Sequence, residues 1–143
     1  MMIAGIQVTF DAHNPHELAA WWAETLGWEV EASNPEFIQK MIAEGHATEA
    51  DTVLVHGVLN WKDGAAVNPP AGSPGVRILF QITEETKVAK DRIHLDLRLD
   101  PAEDREALRA RLQERGAKFL WEANQGPHSW WTFADPEGNE FCV

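Results

Sequence analysis

Tyrosine is absent from this 143-residue chain, cysteine occurs once, and positive charge is scarce: 12 lysines and arginines stand against 23 aspartates and glutamates, a formal net charge of −11. The single cysteine, Cys142, excludes an intramolecular disulfide and agrees with a reducing compartment. The shortage of cations argues against nucleic acid and anionic lipid as partners, because both present repelling phosphates. No apolar run approaches the roughly 20 residues that span a bilayer. The segment Met1 to Gln7 lacks a basic stretch followed by an apolar one, so a cytoplasmic location is the expectation. The length suits one ordinary domain with a hydrophobic core of its own.

Tryptophan is what the chain has instead. Seven tryptophans and six phenylalanines supply large flat rings that serve cores and the walls of small-molecule pockets alike. The acidic surface also has two readings, solubility alone or the steering of a cationic ligand.

The pattern repeats once. Ile3 to Phe10 alternates, with Ala4, Ile6, Val8 and Phe10 on one face and Gly5, Gln7 and Thr9 on the other, the period of a strand apolar on one side. Asn14-Pro15-His16-Glu17 then reads as a helix start, with Asn14 as N-cap, Pro15 in the first turn and Glu17 closing a capping box. Leu18, Trp22 and Leu26 mark the buried stripe, Gly27 the stop, and Trp28 to Ala32 a second strand. In the other half Ile93, Leu95, Leu97 and Leu99 alternate with His94, Asp96 and Arg98 before Asp100-Pro101-Ala102-Glu103 repeats the cap, proline and glutamate. A helix carrying Leu108 and Leu112 runs to Gly116, and Ala117 to Trp121 is the next strand. Further strands are expected at Thr52–Trp61, Val76–Ile82, Trp130–Ala134 and Glu140–Val143, a short helix around Phe37–Ala43, and loops at Lys62–Gly75 and Glu122–His128. Two units at this period suggest a duplication, module 1 over about 1–85 and module 2 over about 91–143, sharing one domain rather than building a solenoid.

With the repeat in hand, the chain resembles the glyoxalase/bleomycin-resistance/dioxygenase (vicinal oxygen chelate) superfamily over nearly its whole length. The residues that carry the likeness are Leu26-Gly27-Trp28, the strand Arg92 to Leu97, and above all the terminal Asp135-Pro136-Glu137-Gly138-Asn139-Glu140-Phe141-Cys142-Val143. The resemblance implies an α+β fold of two βαβββ modules forming a curved eight-stranded mixed sheet around a cavity, with the helices outside. By alternation, Gln7, Thr9, His94, Asp96 and Arg98 would then face the cavity, as would Arg77, Gln81, Glu140 and Cys142, while Ile6, Val8, Leu95 and Leu97 meet the helices.

Metal-using members of the superfamily hold a divalent ion with His, Gln or Glu from the first and last strands of both modules, and a carboxylate moves the proton. Carried over, those positions fall near Gln7, Gln81, His94 and Cys142, an uneven mixture of hard and soft donors without a carboxylate. His94 with Gln7 and Gln81 is therefore a weak metal set, and the reading that leads for His94 is a hydrogen-bonding group, to Asp96, Gln7 or a ligand, in a polar pocket floor. Asp96 and Glu140 are the candidate acid–base residues, with salt-bridged or solvated carboxylates as the plainer alternative. Trp61 and Trp130 are candidate aromatic walls, and Trp131, next to Trp130 on a strand, must point the other way. Cys142 reads as a packed thiol rather than a nucleophile.

The expectation for function is a small-molecule-binding protein, either an enzyme of lyase, isomerase or oxygenase type with a degenerate or absent metal site, or a non-catalytic sequestering protein of the bleomycin-resistance kind. No cofactor is required by the residues, although a divalent metal fits the resemblance, which also implies a homodimer.

Overall fold

Pro15 at the first helical position and Gly27 past the last one bound the first helix where expected. In the computed structural model, which describes residues 1–143, helix α1 spans Pro15–Leu26 and ends with Gly27 at φ 68°, a left-handed turn that glycine enters without steric cost. The expected capping box is not made, since the Asn14 side chain makes no capping hydrogen bond.

The chain folds as two compact units, Met1–Glu85 and Thr86–Val143. In the first, strands β1 (Val8–Ala12), β2 (Glu29–Val30), β5 (Gly64–Asn68) and β6 (Ile78–Ile82) form a mixed sheet in the order β1-β6-β5-β2. The β1–β6 pair is parallel, with Val8 opposite Ile78 and Phe10 opposite Phe80. These residues turn toward α1, where Phe10 meets Trp22 edge-on at 5.6 Å and Phe80 at 5.1 Å. Leu18, Trp22, Val67 and Phe80 are fully buried there. A second helix, α2 (Pro35–Ala43), begins at Asn34, whose side chain accepts from the Phe37 N–H. Strands β3 (Thr52–Val55) and β4 (Val58–Trp61) make a separate hairpin.

In the second unit, β7 (Leu95–Asp96), α3 (Arg105–Glu114), β8 (Lys118–Gln125), β9 (His128–Ala134) and β10 (Glu140–Cys142) follow in order. The sheet order is β7-β10-β9-β8, with β7 and β10 parallel and the other pairs antiparallel. The Asp135–Asn139 turn feeds β10 into the middle. Asp135 is buried and its Oδ1 accepts from the N–H groups of Glu137 and Asn139, while Gly138 takes φ 93°.

The two mixed four-stranded sheets and three helices make an α+β fold, as expected. Several boundaries differ from the sequence reading. The first strand starts at Val8 rather than Ile3, and Ile6 is 73 % exposed instead of packed against a helix. Thr52–Trp61 is two strands, broken at His56 and Gly57, both at positive φ as a tight hairpin turn requires. The Lys62–Gly75 loop contains β5, whose Ala66 and Val67 are buried. The strand expected over Ile93–Leu99 is regular only at Leu95–Asp96. Asp100-Pro101-Ala102-Glu103 is a turn, in which Asp100 Oδ1 accepts from the Ala102 N–H; Asp104 caps α3 by accepting from Glu106 and Ala107. A cap-like tetrapeptide thus serves a turn one step early. The polar segment after Trp121 continues β8 as far as Gln125, leaving only Gly126 and Pro127 between β8 and β9. No helix is long and apolar enough to cross a membrane.

Candidate functional site

Residue register decides which side chains share a face. In the second unit Cys142 lies opposite both Asp96 and Thr132, and Thr132 lies opposite Trp121. Asp96, Cys142, Thr132 and Trp121 therefore form one row across all four strands, on one side of the sheet. His94 precedes Asp96 by two residues and Trp130 precedes Thr132 by two, which places both on that side as well. The opposite side is aromatic and closed. Phe133 stacks on Phe141 at 5.8 Å, Trp131 and Phe119 pack at 4.7 Å, and the Arg109 guanidinium of α3 lies 4.4 Å from the Trp131 ring centre. Trp130 and Trp131 accordingly divide between the two faces.

On the polar side His94 Nδ1 and Asp96 Oδ1 are 3.0 Å apart. With Nδ1 carrying the proton it donates to Asp96, and Nε2 is left with its lone pair. Thr132 Oγ1 contacts the buried Cys142 Sγ at 3.4 Å. Burial, reinforced by the Asp96 charge, pushes the Cys142 thiol above its usual pKa despite the Thr132 contact. It is thus a protonated thiol rather than an activated nucleophile. One donor atom each from His94, Asp96 and Cys142 lies within 4.8 Å of the others.

Glu140 shares this side of β10 but is engaged elsewhere. Its Oε1 accepts from Lys87 Nζ at 2.9 Å and its Oε2 from the Asp91 N–H at 3.0 Å. Burial alone would raise its pKa, yet the Asp91 N–H and the Lys87 ammonium outweigh it and hold the carboxyl at about 2. Burial and the neighbouring Glu140 push Asp91 upward in turn. These contacts make Glu140 a clamp on the segment entering the second unit. Arg98 is exposed two residues beyond β7.

In the first unit Gln7, Thr9, Arg77 and Gln81 fall on the side of the sheet away from Phe10 and Phe80, as the alternation requires. Arg77 organises them. Its Nη1 donates to Gln7 Oε1 at 2.6 Å and its Nε to Glu31 Oε2 at 2.7 Å, and Asn68 Nδ2 donates to the same Glu31 oxygen at 3.0 Å. Gln7 Nε2 reaches Thr9 Oγ1 at 3.5 Å. Glu31 and Asn68 were not singled out from the sequence, because both lie where the expected strand and loop assignments were incomplete. Gln81 lies opposite Asp11, whereas Gln7 comes one residue before the Val8–Ile78 pair. The two amides thus lie about 13 Å apart along the ladder, on the same side of the first-unit sheet. Trp61 is also elsewhere. It lines a groove of about 650 Å³ with His46, Asp51, Lys62 and Asp63, among others, which includes none of Gln7, Thr9, Arg77 or Gln81.

The geometry has relatives. A structure from Sphaerobacter thermophilus, a member of the glyoxalase/bleomycin resistance protein/dioxygenase superfamily, is 19 % identical and superposes with a TM-score of 0.58, over 99 % of this chain and 97 % of that one. A point mutant of the fosfomycin resistance protein FosX from Listeria monocytogenes, solved with Mn(II) and a dihydroxypropylphosphonic acid, is 12 % identical with a TM-score of 0.62, over 99 % and 91 %. FosX from Mesorhizobium loti is likewise 12 % identical, with a TM-score of 0.62, over 99 % and 90 %. At these identities the likeness is one of fold. No curated protein matches the sequence. The family model for the glyoxalase-like domain matches residues 7–143, and the chain therefore belongs to the glyoxalase-like domain family.

Proposed function

We propose that the protein binds a small molecule on the polar side of its second-unit sheet and moves a proton on it, as a glyoxalase-like lyase or isomerase. The observation that carries the reading is the row Asp96, Cys142, Thr132 and Trp121, with His94 and Trp130 alongside. A flat body lies on the two indoles while the polar end of the ligand meets the His94–Asp96 pair, the usual composition of a binding site, mostly apolar with a few convergent polar groups. Asp96 orients the imidazole and His94 Nε2 takes the proton. Arg98 stands close enough in sequence to fix an anionic group. Glu140 has no part in the transfer, since its carboxylate is committed to Lys87 and Asp91.

Sequestration without turnover is the second reading. It is favoured by the exposure of Trp121, 39 % accessible on the same side as Asp96, which suits a cationic aromatic ligand through cation–π attraction.

The test is a thermal-shift screen of hydroxycarbonyl compounds and cationic aromatics, repeated on Asp96→Ala. A stabilising compound raises the melting temperature by mass action. Asp96→Ala is expected to weaken that compound by about 1–3 kcal/mol, the cost of a charged hydrogen bond, while the unliganded protein melts cooperatively. A lower melting temperature with unchanged affinity would sink the proposal. Product formation from the bound compound, abolished in His94→Ala, separates turnover from sequestration.

A further inference from the structure

We infer that the first unit carries a small-molecule site of its own, the groove of about 650 Å³ beside Trp61, and that its ligand is a small organic cation, an ammonium on an aromatic or aliphatic body. The inference goes beyond the second-unit surface proposed above and is independent of it.

Chain turns build the groove. The residues after α2 bring His46, the short helical turn Glu49–Asp51 brings Asp51, and the link from β4 to β5 brings Lys62 and Asp63 beside Trp61, the last residue of β4. Ile82, the last residue of β6, supplies a further apolar wall. Backbone bonds hold these turns to one another: the Lys62 N–H donates to the Asp51 carbonyl at 2.9 Å and the Ile82 N–H to the Asp63 carbonyl at 2.8 Å. His16 Nε2 lies 2.7 Å from the Trp61 carbonyl. A carbonyl only accepts, so that nitrogen carries a proton and the imidazole anchors the end of β4 to α1. Asp51 is fixed as well, since its Oδ2 accepts from the Thr48 N–H at 2.8 Å and from the Thr48 hydroxyl at 3.3 Å.

Strand parity separates the groove from the polar residues of the same unit. Ile82 shares its side of β6 with Phe80, which packs toward α1, whereas Gln81 lies on the opposite side with Gln7, Thr9 and Arg77. The groove therefore opens on the helix side of the sheet.

Its lining selects for charge. Trp61 is half-buried and Ile82 is 38 % exposed, which leaves apolar surface of both in a concave wall instead of the core. The carboxylates of Asp51 and Asp63 outnumber the ammonium of Lys62, in a chain whose formal net charge is −11. An indole attracts a cation over its face and the two carboxylates add to that attraction, while an anion is repelled by both. A neutral body gains the apolar contact alone. The volume falls within the range of pockets that hold small organic ligands.

Benzyltrimethylammonium tests the site on the full chain, with benzyl alcohol as the neutral probe and phenylacetate as the anionic one. Each is titrated into isotope-labelled protein while the seven tryptophan indole N–H signals are followed by NMR, the Trp61 signal being the one that Trp61→Phe removes. The expected result is a saturable shift of the Trp61 signal by the cation, with a dissociation constant of about 1 mM or tighter, several-fold weaker binding of the alcohol and none of phenylacetate. Asp51→Asn, which keeps the acceptor for Thr48, and Asp63→Asn should each weaken the cation by about threefold and leave unfolding cooperative. Ile82→Lys, at an exposed position, should abolish binding by placing a like charge in the groove. A Trp61 signal that stays still, or that moves equally with all three probes, would overturn the inference, as would unchanged affinity in both asparagine variants. Shifts confined to Trp121 and Trp130 would assign the cation to the second-unit surface and remove it from this groove. A Trp61 response that persists in Asp96→Ala supports a groove that acts by itself, whatever becomes of the second-unit reading.

Discussion

Lys87 Nζ lies 2.9 Å from Glu140 Oε1, and this contact ties the entry of the second unit to its central strand. The Glu140 side chain is only 9 % exposed and also accepts from the Asp91 N–H. Glu140→Gln keeps the shape but removes the charge that both donors face. The expected outcome is a loss of about 1–3 kcal/mol in denaturant-derived stability, with the exposed His94–Asp96 pair undisturbed. Full stability together with lost ligand binding would instead return Glu140 to the reactive groups.

Glu31 gives a pH dependence of defined sign. Hydrogen bonds from Arg77 and then Asn68 hold its carboxyl below the ordinary value of 4.5. Folding therefore favours the ionised form, and the stabilisation is complete above about pH 4.5 and is lost as the pH falls through the folded-state pKa. The pair is partly solvated, so the magnitude is that of a surface ion pair, about 0.5–1 kcal/mol. Wild type and Glu31→Gln should differ by that amount at pH 7 and converge on acidification. A difference that grows toward low pH would reverse the assignment.

Arg109 is 6 % exposed, stacks on Trp131, and donates from Nη2 to the Val143 carbonyl at 3.1 Å. Its Nη1 reaches Glu106 at 2.8 Å. A lysine retains the charge but has neither the flat stacking surface nor the fork of donors. Arg109→Lys is expected to cost about 1–2 kcal/mol through the lost stack and hydrogen bond, and to raise Trp131 solvent accessibility in fluorescence quenching. An unchanged unfolding midpoint would contradict this account.

Gly75 is closely packed. A Cβ there would come 2.6 Å from the Trp28 ring and 2.9 Å from the Pro69 Cβ. Gly75→Ala should destabilise the first unit by about 1–3 kcal/mol, the range for overpacking. Gly75→Ala combined with Trp28→Leu, which frees the space, should recover part of that loss; no recovery would place the strain elsewhere.

Alternation and punctuation were the legible parts of this sequence. Pro15 and Gly27 delimited α1 because each has a backbone preference that few other residues share. The sides of β1 and β7 could be assigned from period alone, which groups His94 with Asp96. What stayed hidden depended on pairing. His56-Gly57 looks like the interior of an apolar run until β3 and β4 are seen to fold back on each other. Ala66 and Val67 in a Gly- and Pro-rich stretch carry too few apolar neighbours to announce β5, which exists because β2 and β6 flank it. Gln7 and Gln81 share a side but not a position along the ladder, and alternation contains no information about that distance. Arg109, a charge on a helix, gives no sequence sign that an indole and a carbonyl await it.

The placement of β10 also fixes an order of assembly. Strands β8 and β9 meet across two residues and can close early, whereas Leu95 must find Phe141 at the far end of the unit, the costlier search in chain entropy. The β7–β10 pairing should therefore be a late event in folding and an early one in unfolding. His94, Asp96 and Cys142 come together only through that pairing, so anything bound to all three acts as a latch on the last step, and its slowest effect should be seen in the unfolding rate rather than the folding rate.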